Sequence, residues 1–242
     1  MVVGRNPVRQ LLEFQHTRVR KLLVSDSKDR MDDVGKAIFD LAASKKVKIE
    51  VVPSSVLHSM ARNPQGFIAE VNPKMLLDLN GLEDLAANID TGVIVALDGV
   101  KDPQNLGSII RACDSFGVSA LVWSKNRNVS LTEVVSKVSA GASEFVECAQ
   151  VSNLRDALLK LKKLGFSIES AIVDETASSL YEHKFMPRTV IVLGGESDGI
   201  QPLIAKESSN RLYIPQHGVV DSLNVGQAAS VFLAAFRAQI SL

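Results

Sequence analysis

Three stretches of the chain gather Asn, Gly, Ser and charged residues directly behind apolar runs. They are Leu97-Asp-Gly-Val-Lys-Asp-Pro-Gln-Asn-Leu-Gly-Ser-Ile-Ile-Arg111, Ile191-Val-Leu-Gly-Gly-Glu-Ser-Asp-Gly199 and Leu212-Tyr-Ile-Pro-Gln-His-Gly-Val-Val-Asp-Ser-Leu-Asn-Val225. In open α/β sheets, ligands bind beyond the carboxyl ends of strands, so these are the places to expect chemistry. In the first, Asn105 is placed to cap a helix, and Arg111 follows Gly107 by one turn on the same face. The missing side chain at Gly107 would leave the guanidinium room to project past the helix start. A helix N-terminus with an arginine suits a phosphate. Read alone, the same residues better suit a plain cap with Arg111 paired to Asp114. In the second, Gly194-Gly195 would let backbone approach a ligand closely, with Glu196 at the strand tip; a tight turn with a solvated Glu is the alternative. In the third, Ser222 and Asn224 precede a helix, and one of them is expected to be its N-cap.

The chain lacks other signatures. No Gly-x-Gly-x-x-Gly follows a strand, and a phosphate-binding Gly-x-x-x-x-Gly-Lys-Ser/Thr does not occur. A hydrolase triad of Ser222, His217 and Asp221 would be crowded into one loop. The four His and two Cys show no zinc spacing, so no metal site is expected. Cys113 and Cys148 read as buried, reduced thiols.

The elements that must position these residues are legible from periodicity. Strands are predicted at Lys21–Ser25, Val47–Val52, Gly66–Val71, Val93–Leu97, Ala120–Trp123, Phe145–Cys148, Ser167–Val173, Thr189–Leu193 and Arg211–Ile214. Helices are predicted after Asn6-Pro7 and at Asp32–Ser44, Asn105–Phe116, Leu131–Ser139, Leu154–Leu164, Pro202–Glu207 and Val225–Ala238. From residue 92 onward, alternating strands and helices with continuously apolar strands imply a parallel sheet covered on both faces. The polar, acidic stretch 75–91 is read as a linker with one helical piece, Leu82–Ala87. The layout is therefore α/β throughout: a small module at 1–74, the linker, and a larger domain at 92–242.

Composition is that of a globular protein, with 46% hydrophobic and 22% charged residues. No apolar run approaches a membrane span and the N-terminus lacks a signal-peptide core, so a cytoplasmic protein without a membrane partner is expected. The zero net charge hides an asymmetry. Residues 1–74 hold 13 Lys/Arg against 8 Asp/Glu, and the remainder 14 against 19. Arg5, Arg9, Arg18, Arg20 and Lys21 fall within the first 21 positions. A basic module suits an anionic partner such as RNA, or is simply a solvated face.

Taken together, Asn105-Leu-Gly107 with Arg111, Gly194-Gly-Glu-Ser-Asp-Gly199, and Ile214-Pro215 with Ser222-Leu-Asn-Val225 resemble the signature of the SpoU-type (TrmH-like, SPOUT superfamily) RNA ribose 2′-O-methyltransferases. Lys137-Val-Ser-Ala-Gly-Ala142 resembles a further family motif. Gly4-Arg-Asn-Pro-Val8 and Gln65-Gly66-Phe-Ile-Ala-Glu-Val71 resemble the ribosomal-protein-like RNA-binding extension of the rRNA-modifying branch. The resemblance implies S-adenosyl-L-methionine as methyl donor and a guanosine of 23S rRNA as substrate, with a tRNA ribose, or a silent ribosome-assembly role, as alternatives. It also implies a C-terminal trefoil knot and a homodimer. It assigns Arg111, Asn105, Glu196, Ser222 and Asn224 to catalysis, Leu193, Gly194, Ile214 and Leu223 to the cofactor, and the five early basic residues to RNA. The chain departs from the family pattern at Gly195, Gln216, His217 and Gly226.

Overall fold

The computed structural model describes residues 1–26, 28–196, 198–219 and 222–240. The chain forms two compact units, Met1–Met75 and Leu76–Leu242.

In the first unit the elements run β1 (Val2–Val3), α1 (Arg5–Phe14), β2 (Val19–Val24), α2 (Asp33–Ser44), β3 (Ile49–Val51), α3 (Ser54–Met60) and β4 (Phe67–Val71). The sheet order is β1-β4-β2-β3, with β4 antiparallel to both its neighbours and β2 parallel to β3. Helix α1 buries Val8, Leu11 and Leu12. That i, i+3, i+4 set makes one apolar stripe. Asp32 caps α2 by accepting from the Gly35 amide at 2.8 Å, which is worth about 1 kcal/mol for such a cap.

The second unit runs α4 (Leu79–Ala87), β5 (Gly92–Asp98), α5 (Pro103–Ser115), β6 (Ala120–Ser124), α6 (Glu133–Val138), β7 (Cys148–Val151), α7 (Leu154–Lys163), β8 (Ser167–Ala171), β9 (Ser178–Ser179), β10 (Arg188–Gly194), α8 (Pro202–Ala205), β11 (Asn210–Tyr213) and α9 (Val225–Gln239). All seven strands are parallel, in the order β7-β6-β5-β10-β8-β11-β9. Every residue of β5 is buried. Two apolar layers cover the sheet. One holds Leu106, Ile109, Ile110, Phe232 and Phe236 from α5 and α9; the other holds Leu82, Ala86, Leu158 and Leu161 from α4 and α7. Each such side chain contributes about 1.5–3 kcal/mol by leaving water.

The stretch expected to be a linker is structured instead. Leu77 bridges to Ala149 beside β7, and α4, capped by Asp78, drives Leu82 and Ala86 into the second apolar layer. Polar residues on its outer face masked a helix whose inner face is short but fully buried. The strand predicted at Phe145–Cys148 begins at Cys148, because a 3₁₀ turn over Ala142–Glu144 follows Gly141, which lies at φ 90°. The motif Lys137–Ala142 thus closes α6: the buried Ser139 hydroxyl accepts from Ser143 N at 3.3 Å and donates to the Ser136 carbonyl. Strands β1 and β9, two residues each, and helix α3 carried too little periodic signal to be predicted.

Candidate active site

The topology brings the three polar stretches to one edge. β10 lies beside β5 with Gly194 paired to Asp98, so the turns after both strands leave the sheet together. β11 ends one strand further along, beyond β8, and the chain after it returns to the start of α9.

Asn224 joins the three. It is the N-cap of α9, its Oδ1 accepting from Gly226 N at 2.8 Å. Its Nδ2 donates to Asn105 Oδ1 at 2.9 Å and to Glu196 Oε1 at 2.8 Å. One amide side chain therefore uses both donors and its acceptor to tie α5, the turn after β10 and α9 together. Asn105 is itself 7% exposed, within the first turn of α5. The cap of α5 is Asp102, which accepts from Gln104 N at 2.9 Å, with Pro103 at the first helical position. The expectation that Asn105 caps this helix is thus corrected: Pro103 moves the start forward and frees the Asn105 side chain for tertiary bonding.

The glycines serve close packing of the chain against itself. A Cβ on Gly107 would stand 2.6 Å from Val138 Cβ, so this glycine admits α6 rather than making room for Arg111. A Cβ on Gly195 would meet the Gly99 carbonyl oxygen at 2.0 Å, and one on Gly194 would meet Gly199 C at 2.4 Å. The departure at Gly195 therefore has a steric reason, and the space beside Gly194 is filled by the chain's own turn. Gly226, another departure, lets the start of α9 approach Ser108 of α5, with 2.9 Å from its built Cβ to Ser108 Cβ.

Arg111 is exposed and lies one turn beyond Ser108 on α5, the stripe that meets Gly226. Its guanidinium has no hydrogen-bond or ion-pair partner among the described residues, and the pairing with Asp114 does not form there. Ser222, also exposed, likewise has no such partner. Asp221 lies outside the described residues. Leu193 and Ile214 belong to one apolar cluster with Leu212 and Val225, whereas Leu223 is 37% exposed.

Sequence reasoning missed a buried carboxylate here. Asp98, 1% exposed at the end of β5, accepts from Gln201 N at 2.7 Å and Gln201 Nε2 at 2.8 Å. Arg127 Nε stands 3.3 Å from it, an ion-pair distance without hydrogen-bond alignment. Lys101 and Asp198 pair nearby at 3.1 Å. An Asp closing an otherwise apolar strand was the available signal.

The five early basic residues are individually engaged. Arg5 pairs with Asp32 at 2.6 Å, Arg9 with Glu13 at 2.8 Å and Arg20 with Glu70 at 3.5 Å. Lys21 lies 3.1 Å from Glu50 and 3.7 Å from Glu70, and the Glu50 hydrogen bond, followed by the charges of both glutamates, raises its pKa. Arg18 bonds Gln15 and the Asn72 carbonyl. The motifs at 4–8 and 65–71 meet: Arg5 N donates to Gln65 Oε1 at 3.1 Å and Gly4 N to the Phe67 carbonyl at 3.0 Å. Beside them opens a polar cleft of about 360 Å³ that includes Arg5, Arg30, Asp32 and Gln65. Cys113 and Cys148 are buried thiols outside any disulfide, and burial pushes the Cys113 thiol well above its ordinary pKa, which keeps it inert. No helix among the described residues is long and apolar enough to cross a membrane.

Comparison with known proteins agrees with this architecture. The SpoU rRNA methylase family matches residues 92–234, and the RNA 2′-O ribose methyltransferase substrate-binding family matches residues 1–77. The chain belongs to the SpoU rRNA methylase family. Among its relatives is the 23S rRNA (guanosine-2′-O-)-methyltransferase RlmB of Acinetobacter baylyi, 33% identical over 95% of this chain and 93% of that protein. A TrmH family protein of Staphylococcus saprophyticus, whose name leaves tRNA and rRNA open, is 31% identical over 96% of this chain and 93% of its own length. The fold matches an S-adenosylmethionine-bound rRNA methyltransferase from Sinorhizobium meliloti with a TM-score of 0.80. Identity there is 20%, over 99% of this chain and 87% of that one.

Proposed function

We propose that this protein transfers a methyl group from S-adenosyl-L-methionine to a ribose 2′-hydroxyl of RNA, with a guanosine of 23S rRNA as its substrate. The observation that carries the reading is the Asn224 amide bonded at once to Asn105 and Glu196, with Arg111, which has no partner among the described residues, on the same helix as Asn105. Family membership and the RlmB relative support the reaction and the rRNA substrate.

The donor supplies an already activated methyl group, so the chain's task is alignment and help with one proton. Alignment alone is worth about 7–11 kcal/mol in favourable cases. Arg111 clamps the phosphate of the target nucleotide and stabilises the oxygen as it gains charge; a guanidinium keeps its proton, so it acts as cation and donor and not as base. Asn105, Glu196 and Asn224 form the rigid platform against which the ribose is held, and Ser222, exposed two residues before Asn224, would add a hydroxyl contact. The second Glu196 oxygen, without a partner among the described residues, offers the ribose hydroxyl an acceptor. Leu193, Gly194, Ile214 and Leu223 would hold the donor. The residues fit such a molecule in part by side chain and in part by backbone: Ile214 and Leu223 are partly open, whereas the Leu193 side chain is buried and Gly194 packs on its own turn, so these two would offer main-chain groups.

The front unit, residues 1–74 in this reading, docks rRNA by shape and phosphate contacts, with Arg5, Arg9, Arg20 and Lys21 exchanging carboxylate partners, and Arg18 its Gln15 and Asn72 contacts, for phosphates. The finer architecture is part of the same proposal: a homodimer acting in the cytoplasm, with a knotted C-terminus. The placement of β10 between β5 and β8, both earlier in the chain, together with the return of the segment after β11 to Asn105 and Glu196, favours the knot.

Labelled S-adenosylmethionine offered with unmodified 23S rRNA and with bulk tRNA tests the function. A 2′-O-methylguanosine mapped in 23S rRNA is the expected product. Label in tRNA alone would overturn the substrate, and transfer to neither would overturn the activity.

A further inference from the structure

Asp98 holds both ends of the turn that carries Glu196. Gly195 N donates to the Asp98 carbonyl at 2.8 Å, where the turn begins. Gln201, where it ends, donates its backbone and side-chain amides to the two Asp98 carboxylate oxygens. Between them Gly195 and Gly199 bridge, and Gly195 packs on Gly99 too closely for any side chain. Asp98 also ends β5, the strand that feeds α5 and therefore Asn105. Glu196 and Asn105, the two acceptors of the Asn224 amide, are thus both referenced to one buried carboxylate. Burying a carboxylate is costly unless donors satisfy it, and here the donors come from the turn itself.

We propose that Asp98 is a positioning residue for methyl transfer, acting through Glu196: its carboxylate sets the separation that Asn224 must bridge, and so the geometry of the platform that holds the ribose. This rests on the reading of the site given above. The substitution Asp98→Asn keeps the shape but removes the charge that faces Arg127 and the Gln201 backbone amide, and it obliges the Gln201 side-chain amide to turn over so that its oxygen meets the new NH₂. Gln201→Ala removes one of those donors and leaves the carboxylate in place.

The experiment compares wild type, E196Q, D98N, the D98N/E196Q double variant and Q201A, with thermal unfolding as a check on folding. Two readouts are taken. One is the side-chain amide resonances of Asn224 in ¹⁵N-asparagine-labelled protein; the other is the single-turnover rate on the RNA that the wild type methylates. The expected result is that D98N moves the Asn224 amide signals as E196Q does. It should also lower the rate about tenfold on its own and less than about twofold in the E196Q background, because residues acting as one unit are not additive. Q201A should move the same signals in the same direction by less, and it carries the test if D98N does not fold. Asn224 signals unmoved by D98N and Q201A, or rate losses that multiply in the double variant, would overturn the role of Asp98. A wild type that methylates no RNA while D98N still shifts the Asn224 signals would instead overturn the assigned function and leave the clamp standing.

Discussion

The two units handle their polar residues in opposite ways. In the unit that starts at Leu76, residues far apart in sequence converge: Asn105, Glu196 and Asn224 share one amide, and Asp98 reaches Gln201 across 103 positions. In the front unit, charges are met by small local sets, Arg5 by Asp32, Arg9 by Glu13, and Lys21 by Glu50 and by Glu70, which Arg20 also approaches. The first arrangement is rigid, since each bond fixes the position of another element. The second is a set of solvent-screened surface pairs, individually weak, which can be exchanged for phosphates at little expense. In the proposed reading the excess of positive charge serves docking and the convergence on one side chain serves the chemistry.

The largest effect that could break this contrast belongs to Arg111. Arg111→Ala should lower the transfer rate by about 10²–10³, the range for losing one preorganised donor to a developing oxyanion. The cofactor dissociation constant, read by calorimetry, should change little, and equal loss of both would remove Arg111 from the chemistry. Next comes the junction: Asn224→Ala removes two tertiary hydrogen bonds and a helix cap. The expected outcome is a rate loss of about 10–100-fold with destabilisation of about 1–3 kcal/mol, measured by denaturant unfolding. An Asn224→Ala enzyme with wild-type rate would show that the platform is packing only. Deleting the front unit should weaken 23S rRNA binding and reduce the slope of log affinity against log salt, because that slope counts the phosphates neutralised. Unchanged affinity would move RNA recognition to the other unit.

The smallest effect concerns the exposed pairs themselves. The Arg5 guanidinium, and after it the Gly35 amide, hold the Asp32 carboxyl below its ordinary pKa. A carboxylate with a depressed folded pKa adds stability above the unfolded value of about 4, and that stability is lost as pH falls through the folded value. Asp32→Asn should therefore flatten slightly the fall of stability on acidification and change nothing near neutral pH beyond the loss of a weak surface pair and a weakened cap. A large loss of stability at pH 7 would show that these pairs are structural and not exchangeable.

Much of the second unit's core was legible because a parallel strand buried on both faces must be continuously apolar; β5, β6 and β10 announce themselves in this way. The helix α4 was half legible, since only one of its faces meets the sheet. Asn105 was singled out for its position before an apolar helix, but its role was misread: capping is a local rule, and Asp102 with Pro103 satisfies it earlier. Gly107, Gly194 and Gly195 stood out as places of close approach. What approaches is Val138, the turn at Gly199 and the carbonyl of Gly99, residues that no local pattern could supply.

By itself the sequence determined the element types, the α/β class, the three polar stretches and the residues in them, because helix and strand periodicity, capping chemistry and glycine tolerance act over a few neighbouring positions. Only the tertiary structure decided that Asn224 would bond Asn105 and Glu196, that Asp98 would hold both ends of one turn, and that each early basic residue would meet an acceptor. Those outcomes depend on which strand lies beside which. That order follows from packing the whole chain at once and leaves no trace in the spacing of residues along it.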